Sequence, residues 1–242
     1  LNPLSELPLK YQIRRSERAK KTRIIVTTDK IEVVAPPKIS DRRIQAFVSA
    51  QQNWILDALK RVRHRAQTTP SLAPALYVEG ADVPFQGQHI PLTIKPTTAK
   101  RLRVQFTDQR FEVYLPASQT ENSSAQIKTA LESWMKQHTR QLALQLIDKH
   151  SPKHQLFPRN LRIKTQKSRW GSCGPYNDIN LNWLLLLAPP VIMEYVVIHE
   201  LCHIKHKNHS QDFWQLVAAH MPDYLQHRHW LKQHGASLMR GL

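Results

Sequence analysis

Only two cysteines, Cys173 and Cys202, occur in 242 residues. Two thiols make neither a disulfide framework nor a four-cysteine zinc site, so any metal held by this chain must lean on histidine. Long apolar runs are missing too. The longest, Leu184–Ala188 and Tyr195–Ile198, fall far short of the roughly 20 residues that a spanning helix needs. Six glycines and 16 prolines are too few for a low-complexity chain. Leu1–Lys10 lacks the basic region, apolar stretch and small-residue cleavage site of a signal peptide. Reduced thiols without such a signal fit the cytoplasm. Acidic residues are also scarce: 18 Asp and Glu stand against 35 Lys and Arg, a net charge of +17. Both halves are basic, which rules out a charged tail on a neutral protein. A field of that sign attracts nucleic acid, nucleotides, acidic proteins or anionic lipid.

What is present is enough apolar residue, 41%, to bury a core in one large domain or two small ones. The pattern reads as α+β. Arg23–Thr28 and Ile31–Ala35 are β-branched runs parted by Asp29-Lys30. Ser40 caps a helical pattern reaching about Arg65, with Ile44, Val48, Ile55 and Leu59 on its apolar side. Strands follow at Val83–Phe85, His89–Ile94, Leu102–Thr107 and Phe111–Leu115. The polar stretch Pro116–Ser123 reads as a boundary. It divides a β-rich N-terminal part with one long helix, residues 1–120, from a C-terminal domain, residues 121–242. The second part opens with a long helix from Ser124 to about Lys149. Strands return at Leu161–Thr165, Arg169–Cys173 and Ile179–Leu187. Pro189-Pro190 starts a helix through His206, Ser210 caps another, and a last helix begins at Pro222 and ends at Gly235.

Eight of the 13 histidines fall in the last 44 residues. Among them His199-Glu200-Leu201-Cys202-His203 is an H-E-x-x-H motif on an expected helix. Spacing of four puts both imidazoles on one face, able to share a zinc ion, with Glu200 placed to take a proton from a zinc-bound water. Cys202 is one residue off that face and reads as a buried thiol. The third ligand has two candidates. His206 shares the His199–His203 face, but seven residues rise about 10 Å along a helix, too far to share one metal with His199. His209 fits if the helix ends near His206 and the chain reverses, with Asn208 in a left-handed turn and Ser210 capping the next helix. Asp212 then opens that helix or supports a ligating imidazole.

The blocks Lys167-Ser168-Arg169-Trp170-Gly171-Ser172-Cys173, Ile179-Asn180-Leu181-Asn182-Trp183, Ala188-Pro189-Pro190, His199–His203 and Asn208-His209-Ser210 with Phe213-Trp214 resemble the YgjP-like metallopeptidase family, a relative of the SprT-like zinc proteases. The resemblance implies a zincin-like C-terminal domain: a small antiparallel sheet over an active-site helix, with His199, His203 and His209 as metal ligands and Glu200 as base. It also implies a β-rich N-terminal part. Zn2+ is the expected cofactor, with a second divalent ion such as Mg2+ if the substrate is a nucleotide.

The substrate stays open. A peptide could pair with the edge of the Ile179–Leu187 strand. Some members of the family are instead assigned nucleoside triphosphate pyrophosphatase activity on UTP. Arg159, Arg162, Lys164, Lys167 and Arg169 offer five cations to a phosphate chain or form a solvated strand face. Arg169 could equally stabilise the charge that develops on a peptide carbonyl. Lys167, Trp170 and Asn182 are the candidate substrate-contacting residues, with Trp170 and Trp183 equally suited to core packing. The basic cluster Arg14, Arg15, Arg18, Lys20, Lys21 and Arg23 keeps a third reading alive: a nucleic-acid-binding protein with a structural zinc.

Overall fold

The computed structural model of the protein describes residues 9–119 and 123–242. The first eight residues, part of the stretch read as lacking a signal peptide, lie outside the described residues, as do residues 120–122 of the expected boundary. The chain forms two compact units, Leu1–Pro70 and Ser71–Leu242.

In the first unit, Gln12–Arg15 (β1), Arg23–Val26 (β2) and Ile31–Ala35 (β3) make a sheet of order β1-β3-β2, with β1 parallel and β2 antiparallel to β3. The Ser40 side chain accepts from the Arg43 N–H and starts Asp41–Ala50 (α1). The single helix expected from 40 to 65 is two. The Gln51 N–H bonds to both Phe47 and Val48 carbonyls, tightening the last turn, and the chain resumes as Gln52–Thr68 (α2). Ile44, Val48 and Ile55 then close on Ile31, Val33 and Ala35.

The second unit begins with Asp82–Phe85 (β4), Gln88–Thr97 (β5), Arg103–Thr107 (β6) and Arg110–Pro116 (β7), in order β4-β5-β7-β6. Their turns at Gln86-Gly87 and Asp108-Gln109 all have positive φ, as tight hairpins require. The boundary expected at residue 120 falls inside this unit. The helix Ser123–His154 (α3) lays Trp134 against Phe85, Phe106 and Phe111, at centroid distances of 5.8, 6.2 and 5.2 Å. The Gln86 and Gly87 N–H groups also donate to the Leu186 and Leu187 carbonyls. A polar stretch in sequence marks a turn at the surface, whereas these contacts decide which elements share a core.

Behind α3 lie Asn160–Lys164 (β8), Gly171–Cys173 (β9) and Asp178–Asn182 (β10), in order β8-β10-β9. The sheet is mixed rather than antiparallel, because β8 runs parallel to β10 and only β9 runs against it. The expected strand Ile179–Leu187 stops at Asn182. Residues Trp183–Leu187 are a 3-10 turn with all five side chains buried, and a continuous apolar run does not separate that outcome from a strand. Since β10 is central, it offers no free edge; the edge strands are β8 and β9.

Three helices complete the unit: Pro190–Lys205 (α4), Gln211–His220 (α5) and Tyr224–Leu238 (α6). Pro190 occupies the first helical position of α4, which buries residues on every side and is therefore a core helix. Gly235 does not end α6 but sits within it, where a Cβ would come 3.2 Å from Trp170 Cζ2. The glycine lets the indole lie against the helix, a requirement of packing that local signals do not carry. Among the described residues no helix is long and apolar enough to cross a membrane.

Candidate metal centre

α4 carries His199 and His203 one turn apart, as their spacing dictates. The helix ends at His206, whose backbone is extended and whose N–H still bonds to the Cys202 carbonyl. The chain then turns, and Ser210 accepts from the Phe213 N–H to start α5. Asn208 does not take the left-handed conformation expected of it; the extended His206 makes the reversal instead. His209 is carried back to α4 with its Nε2 3.0 Å from His199 Nε2. One donor atom from each of His199, His203 and His209 lies within 4.8 Å of the others.

The supports of this cluster are specific. His203 Nδ1 lies 2.9 Å from the His206 carbonyl. Donating there leaves Nε2 as the free nitrogen, the usual arrangement of a ligating imidazole. His206 thus contributes its backbone oxygen, not its ring. Phe213, fully buried, packs against all three imidazoles at 4.5 to 4.9 Å. Trp214 stacks on His209 at 5.5 Å, and Arg228 from α6 lies over the Trp214 ring at 4.6 Å. Burial, together with His203, His209 and Arg228, pushes His199 down to about 3, so it is neutral and able to donate a lone pair. The sequence reading missed the placement of Phe213, Trp214 and Arg228. The N-cap at Ser210 was the available signal, since it sets Phe213 and Trp214 in the first turn beside His209.

Glu200 is 5% exposed. Burial pushes its carboxyl up to about 8, against the opposing pull of Arg169 and the Cys173 N–H. Its Oε2 is buried without a partner, as is His199 Nδ1. The carboxyl fits only because β9 begins with glycine: a Cβ at Gly171 would lie 2.5 Å from Glu200 Oε1 and 2.7 Å from its Cγ. We expect Gly171→Ala to cost about 1–3 kcal/mol of stability, read from the denaturant midpoint, through overpacking. Hydrolysis should fall at least about tenfold as Glu200 is displaced, a shift equal to about 1.4 kcal/mol in the barrier.

Asn182, expected to contact substrate, is fully buried. It is the clamp of the 166–170 loop instead. Its Nδ2 donates to the Gln166 and Arg169 carbonyls at 2.8 and 3.2 Å, and its N–H donates to the Trp170 carbonyl at 2.8 Å. Its Oδ1 accepts from the Leu184 N–H. Asn182→Ala should therefore destabilise by about 2–3 kcal/mol in urea unfolding, since it strands buried polar groups. Trp170 packs on Gly235 and the core, and Trp183 is buried with Nε1 3.0 Å from Thr165 Oγ1. Lys167 and Arg169 stay exposed on the loop. Cys202 is a buried thiol as expected, pushed up to about 12 by burial. Tyr195 is buried with its ring 6.0 Å from His199.

Of the five cations leading into this region, Arg159 and Arg162 both act on Asp178, and Arg169 acts on Glu200. Arg159 pairs with Asp178 and stacks on Tyr176. Arg162 and Lys164 alternate with the inward Leu161 and Ile163, so they occupy the opposite face of β8. In the N-terminal cluster, Arg14 pairs with Glu32 and Arg15 with Asp41. Asp212 is exposed in the first turn of α5, and His227 pairs with Asp223.

The sequence model of one protein family, described as the YgjP-like metallopeptidase domain, matches residues 20–234. No curated protein sequence gives a significant match.

Proposed function

This chain belongs to the YgjP-like metallopeptidase family, and from that premise we propose that it is a zinc-dependent peptidase with Glu200 as its proton carrier. The family makes it an enzyme of the metal-dependent hydrolase kind. The observation that carries the finer reading is the convergence of His199, His203 and His209 beside a buried carboxyl whose Oε2 has no partner.

The donor set fits zinc. Three imidazoles without a thiolate suit a borderline cation, and three protein ligands leave a position open. Bound by these three histidines, zinc would supply Lewis acidity and make an attacking water more acidic. The remaining work falls to the chain. A cation held by the three histidines would favour the ionised carboxylate against the effect of burial; in that form Glu200 takes a proton from the attacking water at Oε2 and delivers it to the leaving amine. The Cys173 N–H holds the carboxylate in place during both transfers. Arg169, whose charge is felt at Glu200, offsets negative charge that develops on the attacked carbonyl. An extended peptide finds its backbone partner on β9, the edge strand beside Glu200.

A peptide is favoured over a nucleoside triphosphate because the family is one of metallopeptidases and because Arg159, one of the five cations, is already paired with Asp178. The family lends no support to a nucleic-acid partner. The test is one panel: an unfolded casein-like protein and the common nucleoside triphosphates, each with zinc, magnesium or manganese. Peptide cleavage is expected. Pyrophosphate release without peptide cleavage would reject the peptide reading while keeping the metal site.

A further inference from the structure

A second group of histidines lies away from the H-E-x-x-H helix face. His150 and His154 are four residues apart on α3, so they share a face one turn apart. His220 is the last residue of α5. Its ring lies 5.5 Å from that of His150 and 4.7 Å from that of His154. Two imidazoles on one tetrahedral ion, with metal–nitrogen distances near 2.0–2.1 Å, have centroids about 5 Å apart. The rings of His199, His203 and His209 show the same spacing, 4.7 to 5.0 Å.

The hydrogen bonds of this group are incomplete. Both ring nitrogens of His220 are buried without a partner, and so are His154 Nε2 and Ser151 Oγ. Each such group costs about 1–3 kcal/mol when nothing fills its valence. The three on His154 and His220, whose rings lie together, call for an occupant. Burial and the neighbouring His154, His150 and Lys153 keep His220 neutral, the form that binds metal. His150 Nε2 lies 2.7 Å from Glu194 Oε1, the carboxylate contact that orients a ligating imidazole and leaves its other nitrogen free. The nearby lysines are engaged: Lys149 with Glu194, and Lys153 with the Ala219 carbonyl. His154 and His220 each end a helix, where the partial negative charge favours a cation.

We propose that His150, His154 and His220, with Glu194 as the carboxylate behind His150, form a second site for a borderline divalent cation of the zinc class, tying the end of α3 to the end of α5. Among the described residues only the His199 trio has all its donor atoms within 4.8 Å, so the second site closes by rotation of its imidazoles around the ion. It is independent of the hydrolytic centre and stands whether or not that centre cleaves peptides.

The experiment counts zinc on the full-length chain, stripped with chelator and then titrated. The native chain should bind two ions per molecule. His199→Ala/His203→Ala should keep one, with a dissociation constant tighter than about 10 μM. Adding His220→Ala to that double variant should abolish binding and remove the rise in melting temperature that zinc gives it. Adding His154→Ala, at the half-buried end of α3, tests the same point should the His220 variant fail to fold. A folded double variant that binds no zinc, or binds it more weakly than about 10 μM, overturns the proposal. So does binding that survives whichever of the two added substitutions folds.

Discussion

Glu200→Gln protein will bind zinc as the native chain does and hydrolyse its substrate on the order of 10³-fold more slowly. The size follows from the usual contribution of a positioned general acid–base group, about 10²–10⁴-fold. The substitution changes little else. Glutamine is nearly isosteric with the protonated acid, and the carboxyl already sits where burial favours its uncharged form. Its amide can still accept from the Cys173 N–H, but it cannot accept the proton of the attacking water. Metal content by atomic absorption and kcat/KM on a cleaved peptide measure the two halves separately. Turnover near the native value would reject Glu200 as the base. Loss of metal along with activity would show that the variant disturbs the cluster rather than the proton transfer.

The second large effect separates two histidines three residues apart. His209→Ala should weaken zinc binding well beyond the 10–100-fold typical of losing an outer partner, because it removes a donor atom. His206→Ala should leave affinity within a few-fold of native. What His206 gives the site is its carbonyl, 2.9 Å from His203 Nδ1, and alanine keeps that oxygen. Competition against a chromophoric chelator reads both variants on one scale. Equal losses would place the His206 ring on the metal and His209 outside it.

Much of this centre is legible in the chain itself. The H-E-x-x-H spacing, the proline start of α4 and the serine cap of α5 are local, and each acts within a turn of helix. Axial rise alone argues for His209 over the His206 ring, and the structure brings a donor atom of His209 within 4.8 Å of donor atoms of His199 and His203. The Arg-Trp-Gly-Ser-Cys block carries the family resemblance, yet its reason is not local. Gly171 is there because Glu200, 29 positions later, occupies the space of a side chain. Gly235 likewise makes room for Trp170, although its place near the end of a helical pattern reads as a stop.

The remaining differences share a cause. The apolar run at 183–187 is buried whatever its backbone does, so periodicity could not separate a strand from a 3-10 turn. The polar stretch near 120 reads as a boundary, but the aromatic face of β4–β7 needs Trp134 to cover it, and that joins both sides in one core. The sequence by itself determined most of the elements, the proline start of α4, the serine caps of α1 and α5 and the placing of His199 and His203 on one helix face, because these depend on neighbours within a few positions. Only the tertiary structure decided the mixed order of the site sheet, the clamp made by Asn182, the burial of Glu200 and the meeting of His150, His154 and His220. Those depend on which distant surfaces exclude water from each other.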